Sequence, residues 1–226
     1  LTVEDPIEFT HPGIVQAEVN TSIENTFARF LRAFLRQDPD VIMVGEIRDG
    51  ETAEIAVRAA QTGHLLLSTL HTTNATAAVQ RLLDLHPDPN GLASVLIGVM
   101  AQRLVRKVCA DCREEYVPDQ ELLLQWFREP PSDVRWMRGR GCAACDGAGF
   151  AGRIAVSELW IPSAHEVALI GRRASGEEIR KEALRGMPTM AEDALLKAAE
   201  GLTTLEEAYR VVPFEDLEHI KANGLL

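Results

Sequence analysis

Two hydrophobic patterns dominate the N-terminal half of the chain. Residues 41–44 form an unbroken apolar run, Val-Ile-Met-Val, and residues 65–67 form a second one of leucines. Short apolar runs without period-two alternation are typical of strands buried on both faces of a parallel sheet. Residues 23–37 show helical periodicity instead. Their large apolar side chains fall on one face of the predicted helix: Ile23, Phe27, Phe30, Leu31, Phe34 and Leu35. Helices that alternate with buried strands predict an α/β fold.

The remaining elements follow from turn and cap signals. Pro12-Gly13 predicts a turn, so residues 7–19 are expected to form a hairpin or paired short strands. Asp49 is placed to cap a helix that Gly63 ends. Glu207 is placed for a capping box with Thr204. Residues 153–161 resemble a strand, and further helices are predicted over residues 75–85, 92–105, 164–173, 176–185, 190–200 and 204–212.

Composition and charge narrow the class of protein. The chain has 226 residues, of which 46% are hydrophobic, and a formal net charge of -11. Nucleic-acid binders take their backbone affinity from clustered Lys and Arg, so this acidic balance argues against a general nucleic-acid binder. The sequence contains no apolar run of about 18 residues and no signal-peptide pattern. We therefore expect a globular cytoplasmic protein.

A carboxylate directly follows the first apolar strand. Val44 is succeeded by Gly45-Glu46, which places Glu46 at the carboxyl edge of the predicted sheet, where open α/β sheets bind ligands. A strand followed by an acid is the pattern of a Walker B motif, whose acid reaches a Mg²⁺ or an attacking water. The second strand ends in polar residues that include His71, which is suited to contact a γ-phosphate or an acid. A solvated loop glutamate and a structural histidine are the alternatives.

Three arginines lie on the polar side of the helix that precedes Glu46. At about 100° per residue, Arg29, Arg32 and Arg36 fall within roughly 60° of one another. Guanidinium groups suit phosphate oxygens, so this row is either a face for phosphates or a neighbouring subunit, or an ordinary solvated face.

The cysteines form two matched pairs. Cys109-Ala-Asp-Cys112 is followed, after 29 intervening residues, by Cys142-Ala-Ala-Cys145. Two such knuckles supply four thiolates to a tetrahedral Zn²⁺, and four thiolates leave no open position for catalysis. The pattern predicts a structural zinc site, with reduced structural cysteines or a redox pair as alternatives.

Taken together, these segments resemble a known family. The resemblance is carried in order by residues 2–8 (T-V-E-D-P-I-E), 26–49, 62–75 (T-G-H-L-L-L-S-T-L-H-T-T-N-A), 101–112 and 141–153. They resemble the secretion ATPase superfamily, and within it the branch of type II secretion and type IV pilus assembly ATPases (GspE/PilB-like). The tetracysteine element favours this assembly branch over the retraction ATPases.

The resemblance implies a fold and a domain plan. The expected fold is α/β: an incomplete RecA-like P-loop NTPase core with a tetracysteine zinc subdomain and a small C-terminal all-α subdomain. These are expected at residues 1–105, 106–160 and 161–226. No G-x-x-x-x-G-K-[ST] occurs in the sequence. The chain is therefore expected to be the C-terminal part of a longer ATPase, and to be inactive by itself because the Walker A loop is absent.

The resemblance also assigns roles. Glu4, as the base that activates water, and Asp5 match the Asp box, and Glu46 matches the Walker B acid. His64 and His71 match the His box, with His71 nearer the γ-phosphate. The other matched residues are the arginines at the nucleotide site or subunit interface (Arg29, Arg32, Arg36) and the zinc ligands (Cys109, Cys112, Cys142, Cys145).

The expected cofactors are ATP, Mg²⁺ and Zn²⁺. The expected partners are further copies in a homo-hexamer and an inner-membrane platform protein, with the ring peripheral to the bacterial inner membrane and no nucleic acid bound. The alternatives are a non-catalytic zinc-containing interaction module and, from another class, a nucleic-acid motor. The motifs do not separate type II secretion from pilus assembly.

Overall fold

The computed structural model describes residues 1–224, and its elements run in the following order along the chain. The strands are β1 (Thr2–Glu4), β2 (Gln16–Glu18), β3 (Val41–Val44), β4 (Leu65–Ser68), β5 (Val99–Val108), β6 (Arg113–Glu115), β7 (Met137–Gly139) and β8 (Phe150–Trp160). The helices are α1 (Phe27–Phe34), α2 (Gly50–Gln61), α3 (Ala77–Asp84), α4 (Pro89–Val95), α5 (Gln120–Trp126), α6 (Ala164–Gly171), α7 (Gly176–Ala183), α8 (Met190–Ala199), α9 (Leu205–Val211) and α10 (Phe214–Asn223). Among these, no helix combines the length and apolar character needed to cross a membrane.

The chain forms two compact units. The first comprises Leu1–Thr72, Thr76–Gly98 and Ile161–Ala183, and the second comprises Thr73–Ala75, Val99–Trp160 and the described residues from Leu184 to Gly224. The predicted C-terminal helical segment is thus divided between the two units. Helices α6 and α7 belong to the first unit, and α8 to α10 belong to the second. The functional division into three segments stays a prediction, and residues 225–226 of its last segment lie outside the described residues.

The first unit is built on a parallel sheet with strand order β2-β1-β3-β4. Val3 of β1 pairs with Val44 of β3, and Val44 pairs in turn with Ser68 of β4. Because the strands are parallel, their carboxyl ends lie at one edge. The confirmed α/β fold therefore gathers the residues that follow β1, β3 and β4 at that edge.

The two apolar strands are less buried than their sequences predict. Ile42 and Val44 of β3 are fully buried, but Val41 is 42% exposed. In β4, Leu65 and Leu67 are 42% and 51% exposed. The prediction of strands buried on both faces was therefore wrong for this chain, since β4 is the outer strand of the sheet that residues 1–224 form.

The segment before β3 also differs from its prediction. The helix begins at Phe27, because the Thr26 side chain accepts a hydrogen bond from the Arg29 N–H, and Ile23 lies in a short 3₁₀ turn and is exposed. Residues 7–19 form no hairpin: β2 pairs in parallel with β1. Pro12-Gly13 is a turn, as predicted.

The helix predicted over residues 92–105 is wrong in its second half. Helix α4 ends at Val95, and β5 begins at Val99. Burial then alternates, with Ala101 and Val105 buried and Met100 and Leu104 exposed, which is the period of a strand. Pairing decides the conformation, because β5 runs antiparallel to β8 from Val99 opposite Trp160 to Val108 opposite Phe150.

The second unit packs helices on this antiparallel pair. Helix α8 packs against β8 and α9 against β5, and α10 contacts α8 and α5. The helices predicted after residue 163 are confirmed, and α10 was not predicted. Fully buried side chains form the core of this unit: Trp126, Met190, Leu195, Leu205 and Ile220.

Glu207 has a different role from the predicted capping box. Thr204 caps α9 as expected, since its hydroxyl accepts the Glu207 N–H at 3.2 Å. The Glu207 carboxylate instead accepts bonds from the Arg106 N–H (3.0 Å) and the Arg106 and Arg210 guanidinium groups (2.7 and 3.0 Å). Burial by itself would raise the pKa of Glu207, but these hydrogen bonds outweigh it and lower the pKa to about 2.

This carboxylate is expected to make the second unit sensitive to acid. The pKa of Glu207 is depressed from an ordinary value of 4.5 to about 2, so its stabilisation is complete above pH 4.5 and is lost as the pH falls towards 2. The full shift corresponds to at most about 3 kcal/mol. Urea unfolding at about pH 7 and about pH 3 should show a larger difference between wild type and Glu207→Gln at the higher pH. The same loss at both pH values, or an equal loss in the exposed control Glu218→Gln, would contradict this role.

Candidate active site and metal centre

Glu46 lies where β3 ends. Gly45 joins it to the strand and donates its N–H to the Val3 carbonyl at 2.7 Å. A Cβ at Gly45 would lie 3.1 Å from that carbonyl oxygen and 3.3 Å from the Glu4 Cα, so the close approach of β1 and β3 favours glycine here. Thr69 fixes the loop from the other side, because its hydroxyl donates to the Gly45 carbonyl at 2.5 Å. Glu46 is thereby held at the carboxyl edge of the sheet.

Two side chains contact the Glu46 carboxylate, and one of them also reaches Asp5. Its Oε1 forms an ion pair with the Arg48 guanidinium, and its Oε2 lies 3.5 Å from His71 Nε2. The same guanidinium lies 3.7 Å from Asp5 Oδ2, and its hydrogen bond to Glu46 raises the pKa of Arg48. The Glu46 side chain is only 12% exposed, whereas that of His71 is 90% exposed. The structure thus places His71 beside Glu46 and links Asp5 to Glu46 through Arg48, while the roles of these three residues stay predictions.

Glu4 is the last residue of β1 and lies at the same edge. Its Oε1 accepts hydrogen bonds from the Thr2 hydroxyl at 2.6 Å and the Gln16 side-chain amide at 2.8 Å. These bonds, that of Thr2 foremost, lower the pKa of Glu4. These hydrogen bonds therefore favour the ionised carboxylate and fix its position.

His64 lies away from this group. It precedes β4, at the amino edge of the sheet, and Glu46 follows β3 at the carboxyl edge. Its Nδ1 lies 3.0 Å from the Ala59 carbonyl and 3.1 Å from the Thr62 hydroxyl, at the end of α2. In the structure the His64 side chain contacts the C-terminal end of α2. Its role in nucleotide binding stays a prediction.

The three arginines of the α1 region are all exposed but have different surroundings. Arg29 donates to the Ile23 and Glu24 carbonyls at 3.3 and 3.4 Å, and Arg32 forms an ion pair with Glu51 of α2. Arg36 lies beyond the end of α1. The structure does not bring them into contact with Glu46, so their roles at a nucleotide or subunit interface stay predictions.

Sequence reasoning missed several residues that contact the predicted site residues. Arg48 was overlooked although it lies two positions after the Walker B acid, in the segment that carries the resemblance. Thr2 and Gln16 were missed because their effect on Glu4 depends on the parallel pairing of β1 with β2. The charge of Arg48, so near Glu46, could have identified it from the sequence. No sequence pattern indicates that β1 pairs with β2.

The predicted zinc ligands lie together in the second unit. The ligand atoms of Cys109, Cys112, Cys142 and Cys145 all lie within 4.8 Å of one another. The Cys109–Cys142 and Cys112–Cys145 Sγ atoms are 3.9 Å apart, and those of Cys142–Cys145 are 3.8 Å apart. A tetrahedral zinc with Zn–S bonds of about 2.3 Å places its sulfurs about 3.8 Å apart. The donor set and its spacing therefore fit zinc.

Backbone amides point at these sulfurs. Gly141 donates its N–H to Cys112 Sγ at 3.3 Å, and Cys142 and Gly149 donate to Cys145 Sγ at 3.3 and 3.2 Å. The bond from Cys142 leads in lowering the pKa of Cys145 to about 7, against the effect of its burial, and the bond from Gly149 adds to it. Burial raises the pKa of Cys112 to about 12. N–H groups directed at sulfur favour thiolates, which are the form that ligates metal.

Comparison with solved structures defines the class of protein. The chain superposes on the crystal structure of the pilus retraction motor PilT with bound ADP, with a TM-score of 0.67, 32% identity, and coverage of 96% of this chain and 54% of that one. The fold also matches the ATPase DotB of Legionella pneumophila with a TM-score of 0.64 and 23% identity. The chain therefore has the RecA-like α/β fold of the secretion ATPases.

Sequence comparison gives the family. The family model described as Type II/IV secretion system protein matches residues 1–210, and the chain belongs to this family. It is 48% identical over 211 residues to type II secretion system protein E of Pseudomonas aeruginosa, and 49% identical over 209 residues to the type IV pilus assembly ATPase PilB of Thermus thermophilus. These alignments cover 93% and 91% of this chain but 42% and 24% of the relatives. The chain thus spans less than half the length of either relative.

Proposed function

We propose that this chain forms part of the ATPase core of a bacterial protein-secretion or pilus-assembly machine. The observation that carries the proposal is the group at the carboxyl edge of the parallel sheet, where Glu46 meets His71 and Arg48 and Glu4 ends the neighbouring strand. Relatives named for type II secretion and type IV pilus assembly support the two machines equally, at 48% and 49% identity.

The residues at this edge suit hydrolysis of a nucleotide phosphate. Glu46 and Asp5 offer the carboxylate oxygens that Mg²⁺ takes beside phosphates, and their place at the strand ends fits such a site. Mg²⁺, when bound, would neutralise phosphate charge. Glu4, ionised and fixed by Thr2 and Gln16, would accept the proton of the attacking water. His71, exposed beside Glu46, would contact the γ-phosphate.

The cysteine cluster would form a structural zinc site. Cys109, Cys112, Cys142 and Cys145 would hold Zn²⁺ with all four coordination positions filled, so the metal would cross-link residues 109–112 to residues 142–145. Residues 113–141 form the hairpin of β6 and β7 and the helix α5 between these pairs. Zinc would thereby fix the base of that insertion.

The finer proposal concerns assembly and coupling. As the family resemblance implies, further copies would form a homo-hexameric ring on the cytoplasmic side of the inner membrane, with Arg29, Arg32 and Arg36 at nucleotide sites between subunits. ATP-driven closure of the subunits would act on an inner-membrane platform protein, which in turn would assemble a pseudopilus or pilus.

Genetic replacement in the source bacterium tests this proposal. In a strain that lacks the native gene, we expect the wild-type protein to restore either the release of secreted enzymes or surface pili, and Glu46→Gln to restore neither at equal protein abundance. Which of the two readouts returns identifies the machine. Full restoration by Glu46→Gln would reject an ATPase role and favour a zinc-containing interaction module, which the cysteine geometry supports by itself.

A further inference from the structure

Within residues 1–224, Arg48 is the one group that forms ion pairs with both Glu46 and Asp5. Its Nη2 pairs with Glu46 Oε1, and its Nη1 lies 3.7 Å from Asp5 Oδ2. Asp5 follows β1 and Glu46 follows β3, so a single guanidinium bridges the carboxylates of two neighbouring strands. Two carboxylates that share one guanidinium repel each other when that cation is removed.

The two partners of the Arg48–Glu46 ion pair differ in exposure to solvent. The Glu46 side chain is 12% exposed, whereas the Arg48 side chain is 62% exposed. Glu46 is fixed by the loop that Gly45 and Thr69 hold in place, with the Thr69 hydroxyl on the Gly45 carbonyl. The Arg48 head can therefore leave while the carboxylate keeps its position. Because the Arg48 side of the pair is exposed, solvent screens the interaction and lowers the cost of exchange.

A divalent cation and this guanidinium compete for the same oxygens. Glu46 Oε1 faces Arg48 and Glu46 Oε2 faces His71, so each carboxylate oxygen already has a partner. A cation that takes Oε1 must displace the guanidinium, because both cannot approach one oxygen from the same side. A displaced Arg48 remains tethered two residues from Glu46, and its planar fork suits phosphate oxygens.

We propose that Arg48 is the internal counter-ion of the Glu46–Asp5 pair and is exchanged for the divalent cation when the site is loaded. This inference rests on the proposed function and adds a regulation to it. Arg48 is a positioning residue: it holds the two carboxylates in place and sets a threshold of cation concentration below which the site stays closed to Mg²⁺. Its removal leaves the carboxylates free to take the cation.

Mn²⁺ binding by the zinc-loaded chain tests the exchange without any turnover. Mn²⁺ reports on oxygen sites by its magnetic resonance signal, and prior loading with Zn²⁺ keeps the thiolates occupied. We expect Arg48→Gln to bind Mn²⁺ about three- to tenfold more tightly than wild type, since a cation lost from a partly exposed pair changes affinity modestly. Arg48→Lys keeps the positive charge but lacks the planar guanidinium group. Its Mn²⁺ affinity should lie between those of wild type and Arg48→Gln.

Two controls separate exchange from a general charge effect. Arg58→Gln makes the same charge change on α2, where Arg58 pairs with Glu54, and should leave Mn²⁺ affinity unchanged. The gain in Arg48→Gln should vanish in the double variant Arg48→Gln/Glu46→Gln. Unchanged or weaker binding in Arg48→Gln, no Mn²⁺ binding by either protein, or an equal gain in Arg58→Gln would overturn the proposal.

The test also separates this inference from the proposed function. Glu46-dependent ATP hydrolysis together with unchanged Mn²⁺ affinity in Arg48→Gln would reject the exchange and keep the ATPase. Tighter Mn²⁺ binding in Arg48→Gln, lost with Glu46, together with no nucleotide hydrolysis by a form of the protein extended to include the family's P-loop, would reject the ATPase and keep the exchange.

Discussion

Replacing Glu46 by Gln is expected to lower the turnover of ATP by at least about 100-fold, since catalytic acids and bases at phosphoryl-transfer sites contribute factors of this size. The substitution keeps the shape of the side chain but removes the charge that faces Arg48 and His71. The measurement is steady-state phosphate release by an extended form of the protein, in which the family's P-loop precedes residue 1. We expect nucleotide affinity to change little, because the phosphates would be held mainly by the P-loop.

The matched control is Glu54→Gln. Glu54 lies on α2, is 52% exposed and pairs with Arg58, so its loss removes the same charge from the same unit. Its turnover should equal that of wild type. A Glu46→Gln protein that hydrolyses ATP within a few-fold of wild type would show that Glu46 is a loop glutamate without a catalytic role.

Replacing Cys145 by Ser is expected to release zinc and to unfold much of the second unit. The Cys145 side chain is buried, and its sulfur accepts N–H groups from Cys142 and Gly149. Since the binding energy of a structural zinc contributes directly to folding, we expect a loss of at least about 3 kcal/mol in the free energy of unfolding. Metal analysis should fall from about one zinc per chain towards zero, and urea unfolding should show the loss.

Ala143→Ser is the control for this substitution. Ala143 lies in the same turn as Cys145 and is exposed, so the added hydroxyl removes no ligand. It should keep both zinc and stability. Equal unfolding midpoints for the zinc-loaded and chelator-stripped wild-type chain would contradict the metal centre, and would favour reduced structural cysteines.

The local sequence was sufficient for elements whose signals are short in range. Strand β3 and its acid were predictable because Val41–Val44 is an unbroken apolar run followed by Gly45-Glu46. Helix α2 was predictable because Asp49 caps it, accepting the Thr52 N–H at 2.8 Å. The cysteine cluster was predictable because each C-x-x-C pair is visible in the local sequence. The two pairs need only lie close together in the fold to form a four-cysteine site.

Longer-range contacts decided the features that were missed. The segment Val99–Val108 has apolar residues compatible with a helix, and only its pairing with β8 makes it a strand. His64 resembles His71 in the sequence, yet the direction of the parallel strands places the two at opposite edges of the sheet. The contact between Arg48 and Asp5 depends on β1 lying beside β3, which no local pattern encodes.

The most direct test of the central claim is ATP hydrolysis measured side by side on this 226-residue chain and on the extended form, both loaded with zinc. We expect Mg²⁺-dependent hydrolysis by the extended form and none by the chain alone, because Glu4, Glu46 and His71 lie at the sheet edge, whereas the phosphates would be held by the P-loop. An extended form that folds and binds zinc yet releases no phosphate, even with the proposed inner-membrane platform protein present, would contradict the ATPase proposal.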